Sequence, residues 1–391
     1  MKCFAAALLL AMSPAAACLA QDEPAPQSHC VKCNGHGQFP CPKHGKALAL
    51  ETGPLVQWCS DVLTCKTCEG ALHVDCKTCR NADVEAALEQ RKQLAKEWLA
   101  ERRKHVEGAP NVDDFLYLST PHFDLSFSIK ATTVGKKKLD THLLMHLYGE
   151  RLEALRDDFV KTFELTDDDL PDRCRVHMFR ASNDQAVIGP KETGFGNARA
   201  VGLKQMGPEF VYSMWQDLRS MPDDEALHRN VVHHVTHLLL SQMKPALWLG
   251  NRKHGWIDEG LAHWFENRTS GKCTNFCFEE ILMQPGAGFK GGRWQAPVRK
   301  LVDEGKAESF AALSLLNSDQ LTFEQHAVAF AYVDFLITDK GGAKFRDLVR
   351  LLKQGKETRE ALQAVYGLNP LTMQPAFEAW VKEHYSPLPG K

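Results

Sequence analysis

The chain has 391 residues, of which 44% are hydrophobic and 25% are charged, and its formal net charge is −2. This length accommodates two or three domains with a substantial core. The near-neutral balance excludes the basic footprint of a nucleic-acid-binding protein, and no run of like charges indicates an anionic membrane surface. Partners must therefore be inferred from specific sites.

The N-terminal segment has the pattern of a secretory signal. Lys2 precedes an apolar run over residues 4–12, and small residues follow up to position 20. The run is too short to cross a bilayer, which takes about 20 apolar residues, and no later segment approaches that length. Residues 1–20 are thus predicted to be a signal peptide on an exported protein, periplasmic or secreted, with no transmembrane segment. Lipid attachment at Cys18, which follows three alanines, is a second interpretation.

Residues 21–80 are predicted to form a cysteine-rich zinc-binding module. Eight of the thirteen cysteines lie between positions 30 and 79. Two-residue gaps define four pairs of ligand residues, which are Cys30 and Cys33, Cys41 and His44, Cys65 and Cys68, and Cys76 and Cys79. Such a gap lets both side chains reach one ion. Because tetrahedral zinc takes four ligands, eight ligands predict two zinc ions. A disulfide framework is the alternative for an exported chain.

The spacing of these pairs resembles the cysteine-rich zinc domain of DnaJ-type co-chaperones. Seven residues separate the first pair from the second, and seven separate the third from the fourth. The resemblance implies crossed pairing, with one zinc held by Cys30, Cys33, Cys76 and Cys79 and the other by Cys41, His44, Cys65 and Cys68. The chain departs from the family at His44, which replaces a cysteine, and Cys59 is an alternative ligand there. No J-domain signature is present, so the module alone does not imply a co-chaperone.

A helix over residues 81–108, capped by Asn81 and stopped by Gly-Ala-Pro, is predicted to link this module to a large domain over residues 112–388. Alternating or apolar patterns predict strands at residues 120–128, 175–179, 200–203 and 209–214, with a helix at 139–163. Almost everything after residue 223 has a helical pattern. Strands first and helices later predict an α+β domain and not a doubly wound sheet.

An apolar helical segment of the large domain carries three histidines. His233 and His237 are four residues apart, so both imidazoles emerge from one face and can bind one ion. Twenty-two residues after His237, Glu259 stands in the sequence Trp-Ile-Asp-Glu-Gly-Leu-Ala, which has a helical pattern. Two histidines and one carboxylate form the ligand set of a catalytic zinc site, whose fourth position stays open.

This pattern is similar to that of the peptidase MA-like superfamily, the gluzincins, with a loose resemblance over residues 112–385. The resemblance implies three zinc ligands, His233, His237 and Glu259, with Asp258 or His263 supporting them. The family motif is His-Glu-x-x-His, in which the glutamate takes a proton from zinc-bound water. His234 stands at that position. It is a neutral replacement in an inactive site, a substitute base, or an alternative ligand.

Three functions follow from these patterns. The first is an exported zinc-binding pseudopeptidase, the second an active zinc-dependent peptidase or hydrolase that uses His234 as its base, and the third a chaperone-like polypeptide-binding scaffold. Intact ligands beside a missing base favour the first. The zinc module and the peptidase-like pattern indicate a protein or peptide partner. Cys174, Cys273 and Cys277 have no assigned role, although a disulfide among them is compatible with export. Tyr332 is expected to pack in the core.

Overall fold

The computed structural model describes residues 30–43, 58–60, 63–196, 199–277 and 289–387. The predicted signal peptide, Cys18 and His44 lie outside these residues. The described chain forms two compact units. The small unit contains residues 30–43 and 63–97, and the large unit contains residues 58–60 and 98–387.

The small unit is built on a short β-ladder and a helix. Strands β1 (Gln38–Pro40) and β3 (His73–Asp75) pair antiparallel, with Phe39 opposite Val74. Helix α1 (Ala82–His105) begins after Asn81, whose Oδ1 accepts a hydrogen bond from Val84 N at 2.9 Å. The predicted cap is therefore present, and the residues of α1 up to position 97 belong to this unit.

A six-stranded mixed sheet forms the first half of the large unit. Its strands in spatial order are β2 (Trp58–Cys59), β4 (Leu116–Ser119), β5 (Phe123–Phe127), β8 (Cys174–Phe179), β10 (Phe210–Trp215) and β9 (Gly202–Met206). Three consecutive strands, β5, β8 and β10, are parallel, and the others run antiparallel to their neighbours. A separate hairpin joins β6 (Thr132–Val134) to β7 (Lys137–Leu139).

Helices account for most of the remainder. Two lie between strands, α2 (Thr141–Phe163) and α3 (Ser182–Thr193). Those after the sheet are α4 (Asp224–Gln242), α5 (Gly255–Ser270), α6 (Gln295–Asp303), α7 (Phe310–Leu313), α8 (Phe323–Thr338), α9 (Gly342–Lys353), α10 (Thr358–Tyr366) and α11 (Pro370–His384). No helix in the described part of the chain is long and apolar enough to cross a membrane.

Helices cover both faces of the sheet. Along β10, the hydroxyl of Tyr212 donates to Asn230 on α4, whereas the hydroxyl of the next residue, Ser213, donates to Gln185 on α3. Since successive side chains of a strand point to opposite faces, α3 and α4 lie on opposite sides. Every residue of β5 is buried, as expected for a strand covered on both faces.

The prediction of strands first and helices later is confirmed at the level of a mixed α and β fold. The parallel pairing of β5, β8 and β10 was not predicted. It arises because α2 and α3 connect these strands, and such crossovers allow a strand to return in the same direction.

Candidate metal centres

The β1–β3 ladder of the small unit brings the first and last cysteine pairs together. Cys30, Cys33, Cys76 and Cys79 place their sulfurs within 4.8 Å of one another. The sulfurs of Cys30 and Cys76 are 3.7 Å apart. Four thiolates around tetrahedral zinc, each at about 2.3 Å, would stand about 3.8 Å apart. This Cys₄ group can hold a metal ion, and its spacing differs from the roughly 2 Å of a disulfide bond.

The protonation of these thiols also favours a cation. Hydrogen bonds from the backbone, that of Lys32 foremost, lower the pKa of Cys30 to about 6. The hydrogen bond with Cys30 raises the pKa of Cys79 to about 12. Ionisation of one thiol thus makes ionisation of its neighbour less favourable. Several thiolates can therefore coexist only around a positive ion.

The middle cysteine pairs form a second group. Cys41, Cys65 and Cys68 are buried and also converge within 4.8 Å. Their predicted partner, His44, lies outside the described residues. Cys59, the alternative fourth ligand, lies on β2 and belongs to the large unit.

In the large unit, α4 and α5 carry the three predicted ligands. Asp223 caps α4 by accepting a hydrogen bond from Ala226 N at 2.8 Å, and residues 229–242 of this helix are all buried. His233 and His237 point toward α5, where Glu259 lies in the second turn. All three side chains are almost completely buried.

The ligand atoms of His233, His237 and Glu259, here called the His/Glu site, lie close to one another. The two Nε2 atoms are 3.4 Å apart, His237 Nε2 is 3.5 Å from Glu259 Oε1, and His233 Nε2 is 3.6 Å from Glu259 Oε2. Tetrahedral zinc with nitrogen and oxygen ligands at about 2.05 Å has edges of about 3.3 Å. Each Nε2 atom is nearest a different oxygen of Glu259. This spacing suits one ion held between the two imidazoles and the carboxylate.

Carboxylates behind both histidines orient them. His237 Nδ1 is 2.9 Å from Asp258 Oδ1, and the other Asp258 oxygen accepts hydrogen bonds from Trp248 and Ser318. His233 Nδ1 lies 3.3 Å from Glu266 Oε2, at an angle that falls short of a hydrogen bond. A carboxylate at Nδ1 turns Nε2 toward a metal.

His233 and His237 are in the neutral form that metal binding requires. Burial, reinforced by the charge of Lys204, lowers the pKa of His237 to about 4. Burial likewise lowers the pKa of His233 to about 4. Both imidazoles are thus neutral at pH 7 and can donate a lone pair.

Two residues that the sequence patterns missed complete this region. Cys277 Sγ lies 3.5 Å from Glu259 Oε1 and 4.0 Å from His237 Nε2. Lys204, on β9, places its Nζ 2.8 Å from the same sulfur. Burial alone would lower the pKa of Lys204, but Cys277, Glu259 and Asp258 raise it. The ammonium of Lys204 is therefore placed against the sulfur beside the His/Glu site.

Glu266 holds the loop that carries Cys277 beside the His/Glu site. Its Oε1 accepts hydrogen bonds from Thr274 N at 2.6 Å and from Asn275 Nδ2 at 2.7 Å. This carboxylate fixes the backbone just before Cys277. Glu266 stands seven residues after Glu259, hence on the same face of α5, a periodicity that could have identified it. Cys277 and Lys204 carry no comparable pattern.

His234 lies beside the His/Glu site. Its ring packs 4.8 Å from that of Tyr212, and its Nδ1 has no hydrogen-bond partner within the described chain. One of its nitrogens lies within 4.8 Å of ligand atoms of His233, His237 and Cys277, so the alternative-ligand interpretation stays open. Burial, with Lys204 next, holds the pKa of His234 well below its usual range, and the imidazole is a weak proton acceptor.

The remaining predicted residues have other surroundings. His263 lies 4.0 Å from Glu259 Oε2 and closer to Glu266 and His326, at 3.3 and 3.2 Å, so it supports the carboxylates more than the ligand histidines. Tyr332 is buried and stacks on Phe377, as expected for core packing. The described cysteines, Cys174, Cys273 and Cys277 included, form no disulfide with one another.

Comparison with known proteins identifies no relative. The chain matches no protein-family model, and no curated protein matches it. The interpretation of the metal centres therefore depends on their own geometry.

Proposed function

We propose that this chain is an exported zinc-binding pseudopeptidase. In this proposal the large unit is related to the gluzincin peptidases, and it holds zinc at the His/Glu site without hydrolysing peptides. The small unit holds two further zinc ions and, together with the large unit, serves recognition of a protein or peptide.

The convergence of the His233, His237 and Glu259 ligand atoms supports this proposal most strongly. Two imidazole nitrogens and one carboxylate, at 3.4 to 3.6 Å from one another, form the ligand set of catalytic zinc sites. Asp258 and Glu266 behind the histidines add the carboxylates typical of metal-bound imidazoles. When bound there, zinc would supply a Lewis acid to whatever group occupies its fourth position.

Two features favour a pseudopeptidase over an active enzyme. His234 replaces the glutamate that accepts the proton of zinc-bound water, and its buried imidazole is a weak base. Cys277 is also close enough to supply a fourth ligand, since its Sγ lies 3.5 Å from Glu259 Oε1 and 4.0 Å from His237 Nε2. A thiolate in that position turns an open site into a closed one with four protein ligands, which is typical of structural zinc.

Restoring the glutamate of the peptidase motif tests whether the missing general base is what prevents peptide hydrolysis. We expect the natural protein to leave a fluorogenic peptide library uncleaved. His234→Glu returns the general base, and adding Cys277→Ser removes the thiolate from the fourth position. The double variant should cleave the library at least about 100-fold faster than the natural protein, which is within the range of a general base.

The matched control is His234→Gln with Cys277→Ser, which has the shape of the restored glutamate but cannot accept the proton. It should stay inactive. Brisk cleavage by the natural protein, lost in His234→Glu, would instead make His234 the working base. A zinc-loaded double variant that remains inactive would contradict the proposal that the replaced general base and the Cys277 thiolate are what keep the site from hydrolysing peptides.

A further inference from the structure

A second group of metal-ligating side chains in the large unit lies outside the His/Glu site. Cys59 on β2 and His142 and His146 on α2 each place one ligand atom within 4.8 Å of the other two. The two imidazole rings are 4.7 Å apart and nearly perpendicular. Cys59 and His146 are buried, at 4% and 7% exposure, and His142 is half-buried.

The spacing along α2 explains the two histidines. They are four residues apart in its first two turns, so their side chains share one face. The helix starts at a fixed residue because Asp140 caps it by accepting a hydrogen bond from Leu143 N at 2.8 Å. The positions of both rings are therefore set by a well-defined helix end.

The sheet register brings the cysteine to the same face. Cys59 is directly opposite Leu118 on β4, so both side chains point to one side of the sheet. Leu118 in turn touches α2 at Gly149, where an added Cβ would meet Leu118 Cδ2 at 2.5 Å. Gly149 thus permits a close approach of α2 to this edge, and His146 lies one turn before it.

We propose that Cys59, His142 and His146 bind a transition-metal ion of the zinc class, and we call this group the Cys/His site. One thiolate and two imidazoles are a ligand set that zinc accepts, with water as the fourth ligand. Tetrahedral edges for these ligands are roughly 3.3 to 3.6 Å, so small side-chain rotations close the group on an ion. The half-buried His142 gives the ion a route from solvent.

This site shares no residue with the His/Glu site. Cys59 is also the alternative ligand for the second zinc of the small unit, so the loss of a zinc in the His142 variant is what assigns the ion to the Cys/His site. Native mass spectrometry of the full chain, equilibrated with zinc, counts the ions per molecule. Cys59→Ser and His142→Ala should each bind one zinc fewer than the natural protein. His384→Ala, which removes an exposed helical histidine that belongs to none of the groups described above, should bind the full number.

Cobalt provides a second measurement that does not depend on counting. Replacing zinc by cobalt should give a thiolate-to-cobalt absorption band that decreases in Cys59→Ser relative to the natural protein. Should Cys59→Ser fail to fold, His142→Ala decides the matter, because this side chain is half-buried and its loss leaves a smaller cavity. Equal zinc numbers in the natural protein and in His142→Ala would overturn the proposal, whatever the outcome at His237 or Glu259.

Discussion

At the scale of single residues, the carboxylates behind the histidines matter as much as the ligands. Asp258 accepts from His237, Trp248 and Ser318 at 2.9 Å in each case. Burial would raise the pKa of Asp258, but His237 and Lys204 keep it below its usual range. The side chain therefore remains an anion that fixes which nitrogen of His237 carries the proton.

Replacing Asp258 by asparagine should weaken zinc binding at the His/Glu site by about 10- to 100-fold, because the orienting charge is lost while the size is kept. Competition with a chromophoric chelator measures the affinity. Asp303→Asn, a surface carboxylate on α6 paired with Arg299, is the matched control and should leave the affinity unchanged. An unaltered affinity in Asp258→Asn would show that His237 needs no orienting carboxylate.

The sequence identified this site only in part. His233, His237 and Glu259 stand in a spaced pattern on two helices, and Asp258 is adjacent in sequence to a ligand. Cys277 and Lys204 come from a loop and an edge strand, so only the folded chain brings them to the site. His234 was recognised by position, but its burial against Tyr212 was not visible in the sequence.

At the scale of elements, the packing of α5 against α8 positions Glu259. Gly260, the next residue, lies so close to α8 that an added Cβ would be 2.8 Å from Ala329 O and 2.8 Å from Val333 Cγ2. A backbone oxygen cannot move aside easily. The glycine therefore sets the distance between the two helices, and with it the position of the ligand.

Gly260→Ala should lower the free energy of unfolding by about 1–3 kcal/mol, since the added methyl overpacks the contact. It should also weaken zinc binding by displacing Glu259. Urea unfolding and chelator competition measure the two effects. Gly196→Ala is the control, because a Cβ there meets nothing within 4 Å and the backbone is not in the left-handed region. Unchanged stability in Gly260→Ala would mean that α5 and α8 separate freely.

The elements themselves were more predictable than their arrangement. Residues 175–179 and 209–214 were predicted as strands from local pattern, and the structure has strands at Cys174–Phe179 and Phe210–Trp215. Their parallel pairing, with β5 beside β8, depends on contacts far apart in sequence. No local pattern encodes which strand a fully buried strand will pair with.

At the scale of the whole molecule, cysteine and histidine side chains that can bind metal occur in several separate groups. The small unit gathers seven described cysteines into two groups, and the large unit contains the His/Glu and Cys/His sites. The paired cysteines were visible in sequence because each pair is local. The group of Cys59, His142 and His146 was not, since it combines a two-residue strand with a helix more than eighty residues later.

The number of zinc ions per chain in ligand variants tests the central claim most directly. Native mass spectrometry of the full chain should find one zinc fewer in His237→Ala and in Glu259→Ala than in the natural protein. His234→Ala should keep the full number, because His234 replaces a catalytic group and not a ligand. Loss of one zinc from His234→Ala would make it a ligand, and full zinc in both His237→Ala and Glu259→Ala would contradict a metal site there.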